Sequence, residues 1–169
     1  MQAYIADIVK SHLDWANKES ILVLFAGCDF RCPFCFNSKL LDFKEDYLKD
    51  LRDIKKAIME ASYESDTIFF TGGEPCLQRP ALLELSKFSR KLGLKIGIQT
   101  NGSNPKVIKR IIESKSLDYI SLDLKSPFDN EIFEKTTHSK TFFKQSSEIM
   151  SEIKDTLELL KKHESQYKQ

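Results

Sequence analysis

Three cysteines stand in the run Cys28-Asp29-Phe30-Arg31-Cys32-Pro33-Phe34-Cys35, a C-x3-C-x2-C spacing. Thiolates are soft donors that suit zinc or iron-sulfur clusters. A structural zinc site takes four protein ligands, usually as two separated pairs. Here the local set stops at three, neither His138 nor His163 has a ligand spacing, and one metal position would stay open. Two other arrangements use the same residues: a zinc site that recruits Cys76, and cysteines buried as small apolar groups. Three of the four cysteines fall within eight residues, too crowded for a disulfide framework, so reduced thiols in a cytosolic setting are expected.

Thr71-Gly72-Gly73-Glu74-Pro75 is a second candidate. Glycines let the backbone approach a ligand closely, and a carboxylate beside them can pair with a cationic amine. Thr100-Asn101-Gly102 and Asp123-Leu124-Lys125 are two further polar groups, and each of the four clusters follows an apolar run.

Those runs are Glu19 to Gly27, Thr67 to Thr71, Leu94 to Thr100 and Leu117 to Leu124. Short continuous apolar runs read as strands, here as strands buried on both faces. Helical periodicity fills the gaps. Leu48, Leu51, Ile54, Ile58 and Ala61 line one face of a helix over roughly Lys44 to Tyr63. Pro80 opens a second helix that Gly93 closes, and Asn104-Pro105 starts a third. Ile149, Met150, Ile153, Leu157 and Leu160 mark a long final helix. Strands alternating with helices imply parallel strands joined by crossovers, in an open sheet or part of a barrel. Ligands in such folds sit at the carboxyl ends of the strands, where all four clusters stand. Trp15, Phe69, Phe70 and Phe88 read as core or interface.

With 169 residues and 41% hydrophobic content the chain fills one core, a single domain over residues 1–169. Basic and acidic residues number 26 and 25 and are spread along the chain, so no nucleic-acid or membrane partner is indicated. No run reaches a membrane span's length, and the N-terminus lacks an apolar signal region, so a cytoplasmic protein is expected.

The cysteine spacing resembles the signature of the radical S-adenosylmethionine superfamily, and Gly72-Gly73-Glu74-Pro75 resembles its GGEP motif. The resemblance implies that Cys28, Cys32 and Cys35 each hold one iron of a 4Fe-4S cluster whose fourth iron is chelated by S-adenosylmethionine (SAM). It implies that Phe34 packs on the cofactor's adenine and that Gly72, Gly73 and Glu74 bind its methionyl amino group. A narrower resemblance covers roughly residues 4–127: Ile5-Ala6-Asp7-Ile8-Val9, Phe25-Ala26-Gly27-Cys28, Cys35-Phe36-Asn37, Thr100-Asn101-Gly102 and Asp123-Leu124-Lys125 are similar to motifs of glycyl-radical-enzyme activating proteins. The nearest of these activates anaerobic ribonucleoside-triphosphate reductase. By that likeness Asp123 and Lys125 lie beside the cofactor's methionyl and ribose groups, and Thr100 and Asp123 help hold a monovalent cation. Phe36, where many members carry His, joins the cofactor-binding set. Gln99 replaces a frequent Asp, and the Ser11 to Lys18 loop lacks the usual glycines.

The implied fold is α/β: a partial, laterally open (β/α) barrel of about four parallel strands with a C-terminal helix. The implied activity is reductive cleavage of SAM to a 5′-deoxyadenosyl radical. That radical would generate a glycyl radical on a partner enzyme, with flavodoxin or ferredoxin as electron donor. Other expectations are an enzyme of the same superfamily acting on a peptide, nucleoside or small metabolite, and a non-enzymatic iron-sulfur or zinc protein.

Overall fold

Residues 1–13, 18–139 and 144–163 are described by the computed structural model; Trp15 lies outside them. The four expected strands form as a parallel set. They are β2 (Lys18–Phe25), β4 (Thr67–Gly72), β5 (Lys95–Thr100) and β6 (Tyr119–Leu122). Two antiparallel strands that the apolar runs do not announce extend the sheet, β1 (Gln2–Leu13) and β3 (Leu48–Asp50). The order is β3-β1-β2-β4-β5-β6, so the sheet is an open, mixed, barrel-like wall whose parallel strands occupy one side.

Burial separates the two faces. Ile21, Val23, Phe25, Ile68, Phe70, Ile96 and Ile98 are all at most 1% exposed and pack under α1 (Leu51–Ala61), α2 (Arg79–Lys91) and α3 (Pro105–Glu113). Leu22 and Leu24, on the other face of β2, are half-buried, so in β2 the expected burial on both faces holds for one face only, whereas Thr67 to Phe70 of β4 are buried on both. Phe69 and Phe70 are buried as expected, and Phe88 is half-buried against the core.

Helix α1 begins about seven residues later than the expected start near Lys44 and three after Leu48, the first residue of its apolar stripe. The Asp50 carboxylate accepts the Arg52 N–H at 2.8 Å, an N-cap that satisfies an otherwise orphaned donor. Leu48, ahead of that cap, belongs to β3 and pairs with Tyr4 of β1. Two helices follow the sheet, α4 (Asn130–Thr137) and α5 (Ser146–His163). The stripe Ile149, Met150 and Ile153 of α5 joins Phe133 of α4 in a second apolar cluster with Phe30 and Cys32, against which Cys28 and Cys35 are partly packed. The final helix therefore covers the cysteine loop. No helix among the described residues is long and apolar enough to cross a membrane.

Candidate active site

The parallel strands deliver the four clusters to one cleft of about 380 Å³. Cys28, Cys32, Cys35, Phe34 and Phe36 line it from the loop after β2, and Gly72 and Gly73 from the end of β4. Thr100 and Asn101 line it from β5, and Asp123 and Lys125 from the segment after β6. Phe34 is half exposed and Phe36 fully so, both at the rim.

The cysteine loop is held on several sides. The Cys28 N–H donates to the Leu41 carbonyl at 3.0 Å and the Arg31 N–H to the Thr137 carbonyl at 2.8 Å. The Arg31 guanidinium donates to the carbonyl oxygens of Cys28 (2.6 Å) and Phe30 (3.0 Å) and pairs with Asp42 at 3.0 Å. Burial pushes the Cys28 thiol up to about 12; the Phe30 N–H opposes this and the Asp29 carboxylate adds to it. Burial also raises Cys32. A metal would therefore have to displace protons from this loop.

Among the described residues no three His, Cys, Asp or Glu side chains are gathered tightly enough to hold one metal ion. Thiolates that each take a different iron of a cluster need not converge on one point, and the all-sulfur donor set suits iron-sulfur chemistry. Cys76 is 2% exposed beside Thr100 (Sγ to Oγ1 3.6 Å) and does not line the cleft.

Glu74 does not line the cleft either. Its side chain turns inward at 1% exposure, Oε1 accepting from the Cys76 N–H (3.0 Å) and the Thr100 hydroxyl (2.8 Å), and Oε2 from the Asn101 N–H (2.8 Å). This carboxylate, expected to meet an amine, braces the ends of β4 and β5 in the structure. The Thr100 hydroxyl, expected at a cation, is committed to that brace and also accepts the Gly102 N–H at 3.1 Å. The glycine pair likewise serves the protein's own backbone. Gly72 has φ +109°, and a Cβ there would lie 2.3 Å from the Phe25 carbonyl oxygen.

Burial raises the Glu74 carboxyl from 4.5 to about 7, with the nearby Asp29 charge adding to the effect. The native protein then holds this proton more tightly than the unfolded chain does. The group's stabilising contribution is complete below pH 4.5 and is lost as the pH rises to about 7, a loss of order 3 kcal/mol. Glu74→Gln keeps the shape but presents an NH2 group to one N–H, so it should be less stable at pH 5 while showing a flatter profile to pH 8. Urea unfolding at both pH values checks this; parallel profiles would contradict it.

A polar relay that no local motif announces lies on the cleft floor. Thr71 Oγ1 donates to Gln99 Oε1 at 2.8 Å, and Gln99 Nε2 donates to Asp123 Oδ2 at 3.4 Å, the oxygen that also pairs with Lys125. The available signal was strand phase, since Thr71 and Gln99 alternate with the buried Phe70 and Ile98.

Comparison with known proteins divides at the level of substrate. A protein of Methanocaldococcus jannaschii, provisionally named a glycyl-radical enzyme activating enzyme, is 32% identical over 96% of this chain and 65% of its own length. The 7-carboxy-7-deazaguanine synthase of Clostridium acetobutylicum is 29% identical over 85% of this chain and 63% of its own. The solved structure of TYW1 with a lysine-pyruvate adduct superposes with a TM-score of 0.59 at 20% identity, covering 89% of this chain and 53% of that one, a likeness of fold. The chain thus spans about two thirds or less of the length of these proteins. The Radical SAM superfamily pattern matches residues 22–165, from inside β2 to beyond α5, and so takes in the cysteine loop, the glycine turn and every parallel strand end: this chain belongs to the radical SAM superfamily.

Proposed function

We propose that this chain is the cofactor-binding core of a radical SAM enzyme acting on a nucleoside-like or other small substrate. The observation that carries the reading is one cleft shared by the three thiols, Phe34, the Gly72-Gly73 backbone, Asp123 and Lys125. Cys28, Cys32 and Cys35 would each hold one iron of a 4Fe-4S cluster, and SAM would complete the fourth. When bound, the cluster supplies one electron and SAM, on losing methionine, a 5′-deoxyadenosyl radical that removes a substrate hydrogen.

The residues of the chain bind and orient. Phe34 offers an apolar ring for adenine at the rim. Lys125 can pair with the methionyl carboxylate, and Asp123 can accept from the ribose hydroxyls or the amino group. Glu74 acts behind the cleft by fixing Thr100 and Asn101. Several 7-carboxy-7-deazaguanine synthases and S-adenosylmethionine-dependent nucleotide dehydratases among the relatives support a purine-like or nucleotide substrate.

A second reading, activation of a glycyl radical enzyme with a ferredoxin or flavodoxin as donor, rests on the relative that spans 96% of this chain. The hydrogen removed would then be the α hydrogen of a glycine in the partner. Anaerobic reconstitution followed by dithionite reduction with SAM should release 5′-deoxyadenosine. Rates no higher than those of Cys32→Ala would sink both readings. Deuterium passing from a labelled nucleoside into 5′-deoxyadenosine supports the first, and a glycyl-radical EPR signal on an added partner supports the second.

A further inference from the structure

We propose that Asn101 is a positioning residue that latches the cysteine loop to the end of β5 through Asp29. This rests on the reading of Cys28, Cys32 and Cys35 as cluster ligands and says how the fold keeps them facing the cleft. Asn101 is 6% exposed and all of its polar groups but its own carbonyl are engaged. Its Oδ1 accepts the Ser103 N–H at 2.9 Å, its own N–H donates to Glu74 Oε2 at 2.8 Å, and its Nδ2 donates to Asp29 Oδ1 at 2.7 Å. The Ser103 bond fixes which end of the amide is oxygen, so the NH2 group must face Asp29.

Asp29 directly follows the first cysteine of the loop, and its Oδ1 also receives the Cys28 thiol, at 4.0 Å. The bond from Asn101 has a charged acceptor and a mostly buried donor, the class of hydrogen bond that is stronger than a neutral surface one. Another side-chain tie of the loop, Arg31 to Asp42, is exposed and correspondingly weak. Through Glu74 the latch is continuous with the glycine turn of β4, so three separate strand ends become one bracket around the cleft.

The test is hydrogen exchange followed by mass spectrometry on the full chain, comparing Asn101→Ala, Asp29→Ala and the double variant with wild type. The hydrogen-bonded amides of the loop, those of Cys28, Phe30, Arg31 and Cys35, should exchange about tenfold to a hundredfold faster in either single variant, the factor expected for one lost charge-assisted bond. The double variant should exchange no faster than the singles, because both remove the same link. Amides of β2 and β4 should keep wild-type rates. Asp29 is only partly buried, so its alanine variant guards against misfolding at Asn101. In reconstituted protein the same variants should lose iron to a chelator faster by a similar factor. Unchanged loop exchange in the folded Asp29→Ala variant, effects that multiply in the double variant, or parallel acceleration in β2 and β4 would each overturn the latch. The exchange readout needs no iron, so a wild type that takes up no cluster would refute the ligand assignment and leave this result standing.

Discussion

Alanine at Cys28, Cys32 or Cys35 should leave the reconstituted protein without its cluster and without 5′-deoxyadenosine release, whereas Cys76→Ala should retain about four irons per chain. The contrast follows from position. The first three sulfurs border the cleft, on a loop fastened by Arg31, Leu41 and Thr137. Cys76 packs in the main core against Thr100, and its thiol is pushed well above the usual range by burial, with the Glu74 charge adding to it. An unreactive buried thiol of this kind is a packing group, and its loss should cost a small cavity only. Iron and sulfide analysis with EPR of the reduced protein reads the outcome. A full complement of iron in Cys32→Ala, or loss of iron in Cys76→Ala, would reverse the assignment. Stoichiometric zinc in freshly isolated protein would point to another metal chemistry.

Local patterns in the sequence mark the groups that line the cleft, and long-range pairing determines their detail. The cysteine loop was readable because C-x3-C-x2-C needs no tertiary information, and the parallel strands because β2, β4 and β5 are compact apolar runs. Strand β1 was not readable: its register shifts between Ile5 and Asp7, and a bulge there breaks the period-two alternation that marks a strand. The three-residue β3 was absorbed into the stripe of α1, because Leu48 falls three residues before Leu51. Helix α4 buries only Phe133 and Thr137, too few positions to show a periodicity. The inward turn of the Glu74 side chain has no local signal in the sequence. Its partners Thr100 and Asn101 lie more than 25 residues away, and no local pattern reports which way a carboxylate turns.

Gly73→Ala should be more damaging than its single added methyl suggests, by about 3 kcal/mol or more. A Cβ at Gly73 would lie 2.3 Å from the Gly27 carbonyl oxygen, 2.9 Å from that carbonyl's carbon and 3.1 Å from the Leu40 carbonyl oxygen. All three are backbone atoms, so no side chain can swing aside. The turn cannot retreat cheaply either. The Gly73 N–H donates to the Phe25 carbonyl at 2.8 Å and the Glu74 N–H to the Gly27 carbonyl at 2.7 Å, and any shift stretches both bonds. Moving Gly27 instead would displace Cys28 and, with it, the whole cysteine loop. Iron uptake should therefore fall together with the unfolding midpoint. Gly93→Ala is the control, since a Cβ there meets nothing within 4 Å and only its φ of +80° opposes the change, at about 1 kcal/mol. Thermal unfolding and iron content of the two variants, measured side by side, decide the matter: equal losses would mean that the close approach of the two loops does not hold the cysteines in place.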